Sequence, residues 1–254
     1  MSISGQSGVG KIRLFHDFLG AEVPEATNVA YATTAGGCTY SIGDFRLVGD
    51  LADAADGGLP TISKASGYAR LTGTDEAGQG MAIATEVCFS PELNGPLVLE
   101  ARLETQVLTA RNIFVGFAGT IADLAVEPLT ATTTTITKVV PAIGFLFDSQ
   151  LTTSGTNWFM PYLLAGDTTQ TSTDVVSSQT VVKEESDVLR LEIDSDGGAR
   201  WYINGKLEQT VGAGLAVTVG TLLGAEVGVY GTAATTTDVD IDYILVEANR
   251  DWTR

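Results

Sequence analysis

The chain has 254 residues, 44% of them hydrophobic, and carries 31 acidic against 14 basic side chains for a net charge of −17. That length suits one domain with a full core, and the acidic balance repels phosphate backbones and anionic lipid, which argues against nucleic acid and membrane as partners. No run of about 20 apolar residues is present, Cys38 and Cys88 permit at most one disulfide, and with His16 as the single histidine no His/Cys set has structural-zinc spacing.

The opening MSISGQSGVG lacks the apolar core of an export signal. It reads as a flexible arm over residues 1–11, ahead of a single domain over 12–254. Ile12, Leu14 and Phe18 then share one face of a strand, and His16 on that face reads as a histidine satisfied in the core. Residues 20–66 show little periodicity and are expected to be long loops, with short strands near Tyr40 and over 45–48. Helix is scarce, a turn or two at 51–55 and 121–126. Strands follow at 68–71 and 81–89, and the apolar neighbours of Cys38 and Cys88 predict buried thiols.

The clearest alternation is at 97–107, where Leu97, Leu99, Ala101, Leu103 and Val107 are expected inward and Glu100, Arg102, Glu104 and Gln106 outward. The segments 113–117 (IFVGF) and 143–147 (IGFLF) are apolar on both faces, as strands covered on both sides are. Two Thr-rich stretches, 130–137 and 168–180, are β-prone but polar, and read as exposed loops or edge ribbons.

Residues 188–210 form a meander. Leu189, Leu191 and Ile193 alternate with Arg190, Glu192 and Asp194; Asp196-Gly197-Gly198 and Asn204-Gly205 supply tight turns; Trp201 and Ile203 oppose Arg200 and Tyr202. Strands at 227–230 and 238–246 close the chain, the last with Val239, Ile241, Tyr243 and Leu245 as its expected apolar row. A dozen or so strands at hairpin spacing, without helical crossovers, predict an all-β, antiparallel two-sheet jelly-roll sandwich.

The meander with Trp201-Tyr202-Ile203-Asn204-Gly205-Lys206, followed by the closing strand 239–246, resembles the C-terminal half of concanavalin A-like lectin/glucanase jelly rolls. Residues 15–20 (FHDFLG), 67–72 (GYARLT), 94–102 (NGPLVLEAR) and 114–117 (FVGF) resemble jelly-roll virion proteins of tailed bacteriophages. The resemblance covers most of residues 12–248. It implies a capsid-associated structural protein, a head decoration or cement protein or a fibre module.

Candidate chemistry is sparse. Glu192-Ile193-Asp194-Ser195-Asp196 is similar to the acidic strand motif of retaining glucanases, which needs two carboxylates about 5 Å apart on one face. Here Asp196 replaces the expected Glu and falls in a turn, so Glu192 and Asp194 read as the solvated face of an amphipathic strand. Asp238, Asp240 and Asp242 could share a hard cation, but a straight ladder lacks the curvature of a calcium loop and reads as a polar sheet face. Asp148, Asp167 and Asp174, at expected loop edges, carry less support. No Gly-x-Ser-x-Gly elbow accompanies His16, so no hydrolase triad is assigned. Gly8 and Gly10 ahead of Lys11 do not form a phosphate loop, because no strand precedes them. Trp158, Met160 and Tyr162 share a strand face and, with Trp201 and Tyr202, could offer platforms for sugar rings. Core or subunit interface is the commoner role of such aromatics.

The sequence therefore assigns no catalytic residue, cofactor or metal, and names Trp158, Tyr162 and Tyr202 as contacts for sugar or a partner. From the resemblance comes the expected function: a non-enzymatic virion protein on the capsid surface, made in the host cytoplasm without a signal peptide. Its expected partners are the major capsid protein or another virion protein and further copies of itself, as a trimer, with residues 1–11 ordering on the particle. The alternatives are a glycan-binding module of a host-recognition fibre and a glycan hydrolase.

Overall fold

A computed structural model describes residues 10–19, 38–49, 61–62, 67–73, 77–121, 127–153, 155–164, 166–232 and 237–251. In chain order the elements are β1 (Lys11–His16), β2 (Cys38–Ile42), β3 (Phe45–Gly49), β4 (Thr61–Ile62), β5 (Tyr68–Thr72), β6 (Gly80–Ala84), α1 (Pro91–Asn94), β7 (Leu97–Thr105) and β8 (Arg111–Ala118). They continue with β9 (Leu129–Thr132), β10 (Thr135–Lys138), β11 (Ala142–Asp148), β12 (Asn157–Phe159), β13 (Tyr162–Leu163), β14 (Thr169–Thr171), a 3-10 turn (Ser172–Asp174) and β15 (Val176–Thr180). The meander is β16 (Ser186–Ile193), β17 (Ala199–Ile203) and β18 (Lys206–Val211), followed by β19 (Gly224–Gly231) and β20 (Asp238–Asn249). The expected leader falls largely on residues 1–9, and the two expected helical turns on 51–55 and 121–126, of which only Ile121 is among the described residues; α1, opened by Pro91, is not among the sequence expectations.

Two antiparallel sheets form the sandwich. Sheet A runs β18-β17-β16-β7-β20-β5-β4, with β1 beside the C-terminal half of β20. Sheet B runs β15-β12-β11-β8-β19-β6-β3-β2, with β13 also on β11. The fold is the all-β jelly-roll sandwich that the strand pattern predicts. The Thr-rich stretches supply a separate ribbon, β14-β10-β9, and the edge strand β15.

Alternation along each strand decides what is buried. Leu97, Leu99, Ala101 and Leu103 of β7, Leu189, Leu191 and Ile193 of β16, and Trp201 and Ile203 of β17 meet Ile113, Val115 and Phe117 of β8 and Ile143, Phe145 and Phe147 of β11 in the central core. The intervening residues of β8 and β11 are buried too, because Phe114, Ala118, Ala142 and Leu146 join Leu129, Ala131 and Ile136 of the ribbon in a second core. That double cover is why both strands read as apolar on both faces. The meander turns as its residues demand: Asn204 and Gly205 have φ of 52° and 79°, the left-handed pair of a tight hairpin.

Three expectations of facing are corrected. Strand β7 ends at Thr105, so Val107 lies beyond the sheet and is exposed. The register of β20 on β7 shifts between Ile241 and Tyr243, a β-bulge at Asp242. Past that extra residue the alternation inverts, so the core row is Val239, Ile241, Ile244, Val246 and Ala248, while Tyr243 turns outward. The third correction is Cys88, a free and exposed thiol. Burial of its surroundings and the charge of Glu86 still push its pKa up. The side chain of Cys38 lies outside the described residues.

The open side of the sandwich between edge strands β15 and β18 is stitched by one carboxylate. Glu208 of β18 accepts from the Ser178 N–H at 2.7 Å, the Ser178 hydroxyl at 3.0 Å and Lys206 Nζ at 2.7 Å. Burial pushes this carboxyl up, but Lys206, Ser178 and Gln179 outweigh it and hold it at about 2.

Candidate functional site

The acids that sequence singled out lie on the outer face of sheet A, among arginines. Arg200 forks onto Asp194 at 2.6 and 2.9 Å and reaches Glu192 at 3.3 Å. Arg190 joins Glu192 at 2.8 Å and Glu100 at 3.1 Å, and Glu100 also accepts from the Tyr243 hydroxyl at 2.7 Å. Asp196 stays in the turn, accepting from the Gly198 N–H at 3.0 Å. Neither Glu192 nor Asp194 is held in an apolar pocket of the kind that makes a carboxyl a general acid, so the glucanase-like motif is a solvated ion-pair lattice.

The second acidic row is likewise matched to cations of this chain. Arg70 forks onto Asp240 at 2.7 and 3.1 Å, Gln106 adds a bond at 2.8 Å, and Arg102 holds Asp242 at 2.6 Å. Arg111, almost fully buried, donates to the Asp238 carbonyl at 2.6 Å. Asp240, mainly through its hydrogen bond, raises the pKa of Arg70. Among the described residues no group of three or more His, Cys, Asp or Glu side chains is placed to hold a metal ion. His16 is in the core as expected, its Nδ1 accepting from the Phe18 N–H at 3.0 Å.

The predicted aromatic set comes apart. Trp158 is fully buried in the central core, its Nε1 donating to Asp187 at 2.9 Å, so its ring offers no surface to a sugar; an indole at a strand position between two sheets is core. Met160 and Trp201 are core as well. Tyr162, whose ring is 6.1 Å from that of Trp201, and Tyr202, on the outer face of sheet A, are half-buried.

Unusual electrostatics lie elsewhere, on the face of sheet B turned away from sheet A. Register places three rows there. Gly144, Gly116, Glu226, Ala84 and Arg46 form one; Leu146, Phe114, Gly228, Ala82 and Val48 the next; Asp148, Asn112, Tyr230 and Gly80 the third. Glu226 is buried, and burial raises its pKa to about 7 against the opposing pull of the Tyr230 hydroxyl and Arg46. Its reach to Tyr230 depends on Gly228, since a Cβ there would overlap the Tyr230 hydroxyl and ring.

At the end of the same face Asn112 Nδ2 contacts Leu129 O at 2.6 Å, Glu127 Oε2 at 3.2 Å and Asp148 Oδ2 at 3.2 Å. Burial lifts Asp148 to about 7, and burial plus the charge of Asp148 lifts Glu127 to about 7. Asp148 is thus not a loop-edge acid but the buried end of β11, while Asp167 and Asp174 are exposed.

Sequence reading missed Glu226, Glu127 and Asn112. A signal existed for two of them. Glu226 is a lone acid in the apolar run AEVGVY, and Asn112 abuts one doubly apolar strand opposite the acid that ends the other. Chemically this face can carry protons near neutrality, but Glu226, Tyr230, Asn112 and Asp148 are sealed from solvent.

No protein-family profile and no curated protein matches the sequence. Among solved structures, a protein of unknown function from Shewanella oneidensis superposes with a TM-score of 0.58 at 12% identity, over 99% of this chain and 92% of the other. A cellulose-induced protein gives 0.53 at 14% identity over 81% and 92%. Bacillus licheniformis β-glucanase gives 0.49 at 12% identity over 97% and 100%. What the chain shares with these structures is the fold alone, and fold does not assign activity.

Proposed function

We propose that the chain is a non-enzymatic structural protein of a virion, which binds the outer surface of the capsid and acts through its surfaces instead of a catalytic cleft. The observation that carries the non-enzymatic part is the pairing of Glu192 and Asp194 with Arg190 and Arg200: the acids in the position of a glucanase motif are charge-compensated and solvated. Support for the virion comes from the resemblance of residues 15–20, 67–72, 94–102 and 114–117 to tailed-phage jelly-roll proteins. An excess of 17 negative charges also suits a particle surface that must stay soluble at high local density. On this reading the partners are a capsid protein and other copies of the chain, a trimer being the arrangement that capsid symmetry suggests.

Quantitative mass spectrometry of purified particles tests it. A copy number commensurate with the capsid lattice is expected. Absence from particles overturns the assignment, and a handful of copies together with glycan-array binding would replace it with a fibre lectin that uses Tyr162 or Tyr202.

A further inference from the structure

Strand β1 is an edge of sheet A, and among the described residues no strand pairs with its outer side. Its register on β20 decides where its backbone groups point. The Arg250 N–H donates to the Gly10 carbonyl at 3.2 Å, so Gly10 and, at every second residue, Ile12, Leu14 and His16 are the ones bonded to β20. Lys11, Arg13 and Phe15 alternate with them and aim their N–H and C=O groups away from the sheet, and no described residue hydrogen-bonds those groups.

Both faces of this edge are unfinished. On the core side Ile12 and Leu14 pack against the interior yet stay partly exposed. On the outer side Lys11, Arg13 and Phe15 are all exposed, and Lys11 and Arg13 are two of the 14 basic residues in a chain with 31 acids. Lys11 Nζ donates to the neutral amide oxygen of Asn249, and Arg13 meets Glu247 through Nε at 3.3 Å in a pair about half exposed to water. The β15 and β18 edges, in contrast, are tied to each other through Glu208.

We propose that β1 is a docking edge for an extended acidic segment of a partner protein, which adds to sheet A as a further strand with apolar side chains inward and carboxylates outward. Backbone donors and acceptors at every second residue fit an extended chain. Its inner row would cover Ile12 and Leu14, and its outer row would stand across from Lys11 and Arg13, where opposite charges are favourable and like charges are not. A second copy of β1 fits less well, since pairing about Arg13 sets two guanidinium groups against each other. The charges that discourage the chain from pairing with its own kind thus admit an acidic strand. This docking edge does not depend on the virion reading and is tested without particles.

The test mixes the full chain with a synthetic peptide as long as β1 that alternates valine and glutamate and is blocked at both ends. Calorimetry reads binding, and hydrogen exchange followed by nuclear magnetic resonance reads amide protection. Expected are a dissociation constant below about 1 mM that weakens with added salt, and slowed exchange of the Lys11, Arg13 and Phe15 amides. Arg13→Pro removes an outward N–H and a charge but no bond to β20, so it should stay folded and bind roughly tenfold more weakly. Lys11→Glu, which leaves the backbone intact, should weaken binding about threefold or more. Absence of binding by the folded wild-type chain overturns the proposal, as does equal binding of a peptide with lysine in place of glutamate. Undiminished binding in both variants overturns it too, because the peptide would then sit elsewhere.

Discussion

The Tyr230 ring folds back along β19 across Gly228, and its hydroxyl donates to the carboxyl of Glu226, four residues earlier on the same face. Glu226 holds its proton to about pH 7 in the fold, against an ordinary value of 4.5. A raised acid binds more protons folded than unfolded between those values, so its contribution to stability falls as pH rises from about 4.5 to 7. Glu226→Gln removes the titration and keeps the acceptor for Tyr230. Urea unfolding from pH 5 to 8 should therefore show a shallower decline in the variant, with the gap at pH 8 on the order of 1–3 kcal/mol in its favour. Parallel profiles would show that Glu226 does not titrate in this range.

Gly228→Ala puts a methyl group where the Tyr230 ring crosses the strand. The ring must lift, leaving the Glu226 carboxyl without its donor in a buried site. A loss of about 2–4 kcal/mol is expected from the combined overlap and broken bond. Gly205→Ala, at an exposed hairpin turn with room around it but φ of 79°, should cost less, about 1 kcal/mol.

The bulge at Asp242 makes adjacent residues unequal. Ile244 is in the core and Tyr243 outside it, so Ile244→Ala should destabilise by about 2–5 kcal/mol. Tyr243→Ala, which loses a bond to Glu100 and a ring contact with Phe15, should cost about 1 kcal/mol. Uninterrupted alternation predicts the reverse order, and denaturation midpoints of the two variants decide between them.

Trp158→Ala should cost about 3–5 kcal/mol of stability, because the residue is central core. Tyr202→Ala should change stability by less than about 1 kcal/mol. If glycan binding exists, Tyr202→Ala is the variant that can lose it while staying folded, as judged by circular dichroism.

Glu192→Gln and Asp194→Asn each break partly exposed ion pairs in the Arg190–Arg200 lattice. Each should shift stability by only about 0–1 kcal/mol, less at high salt. Assays of reducing-sugar release should show no dependence on either residue; release abolished by both substitutions would restore the hydrolase.

Wherever one strand face carried the information, the sequence was legible. Leu189, Leu191, Ile193, Trp201 and Ile203 declared the core side of the meander, and Asn204-Gly205 its turn. The doubly apolar β8 and β11 announced cover on both sides, although not that Leu129, Ala131 and Ile136 of a Thr-rich ribbon provide it. What could not be read depends on tertiary context. A bulge changes facing without changing composition, so alternation alone puts Tyr243 inward. Trp158 alternates as a platform residue does, and only the presence of a second sheet over it makes it core. The Asn112, Glu127 and Asp148 cluster joins residues up to 36 apart, through strand register that no local pattern specifies.

The stitch at Glu208 bears on how copies of this chain tolerate one another. Open strand edges recruit other edges, and crowded molecules meet edge to edge often. With Ser178 and Lys206 tied to one carboxylate, the β15 and β18 borders are occupied laterally by each other's side chains. Since that carboxylate stays charged down to about pH 2, acidification within the ordinary range leaves the guard in place. The lateral closure of these two edges thus rests on a single carboxylate and not on the depth of the core.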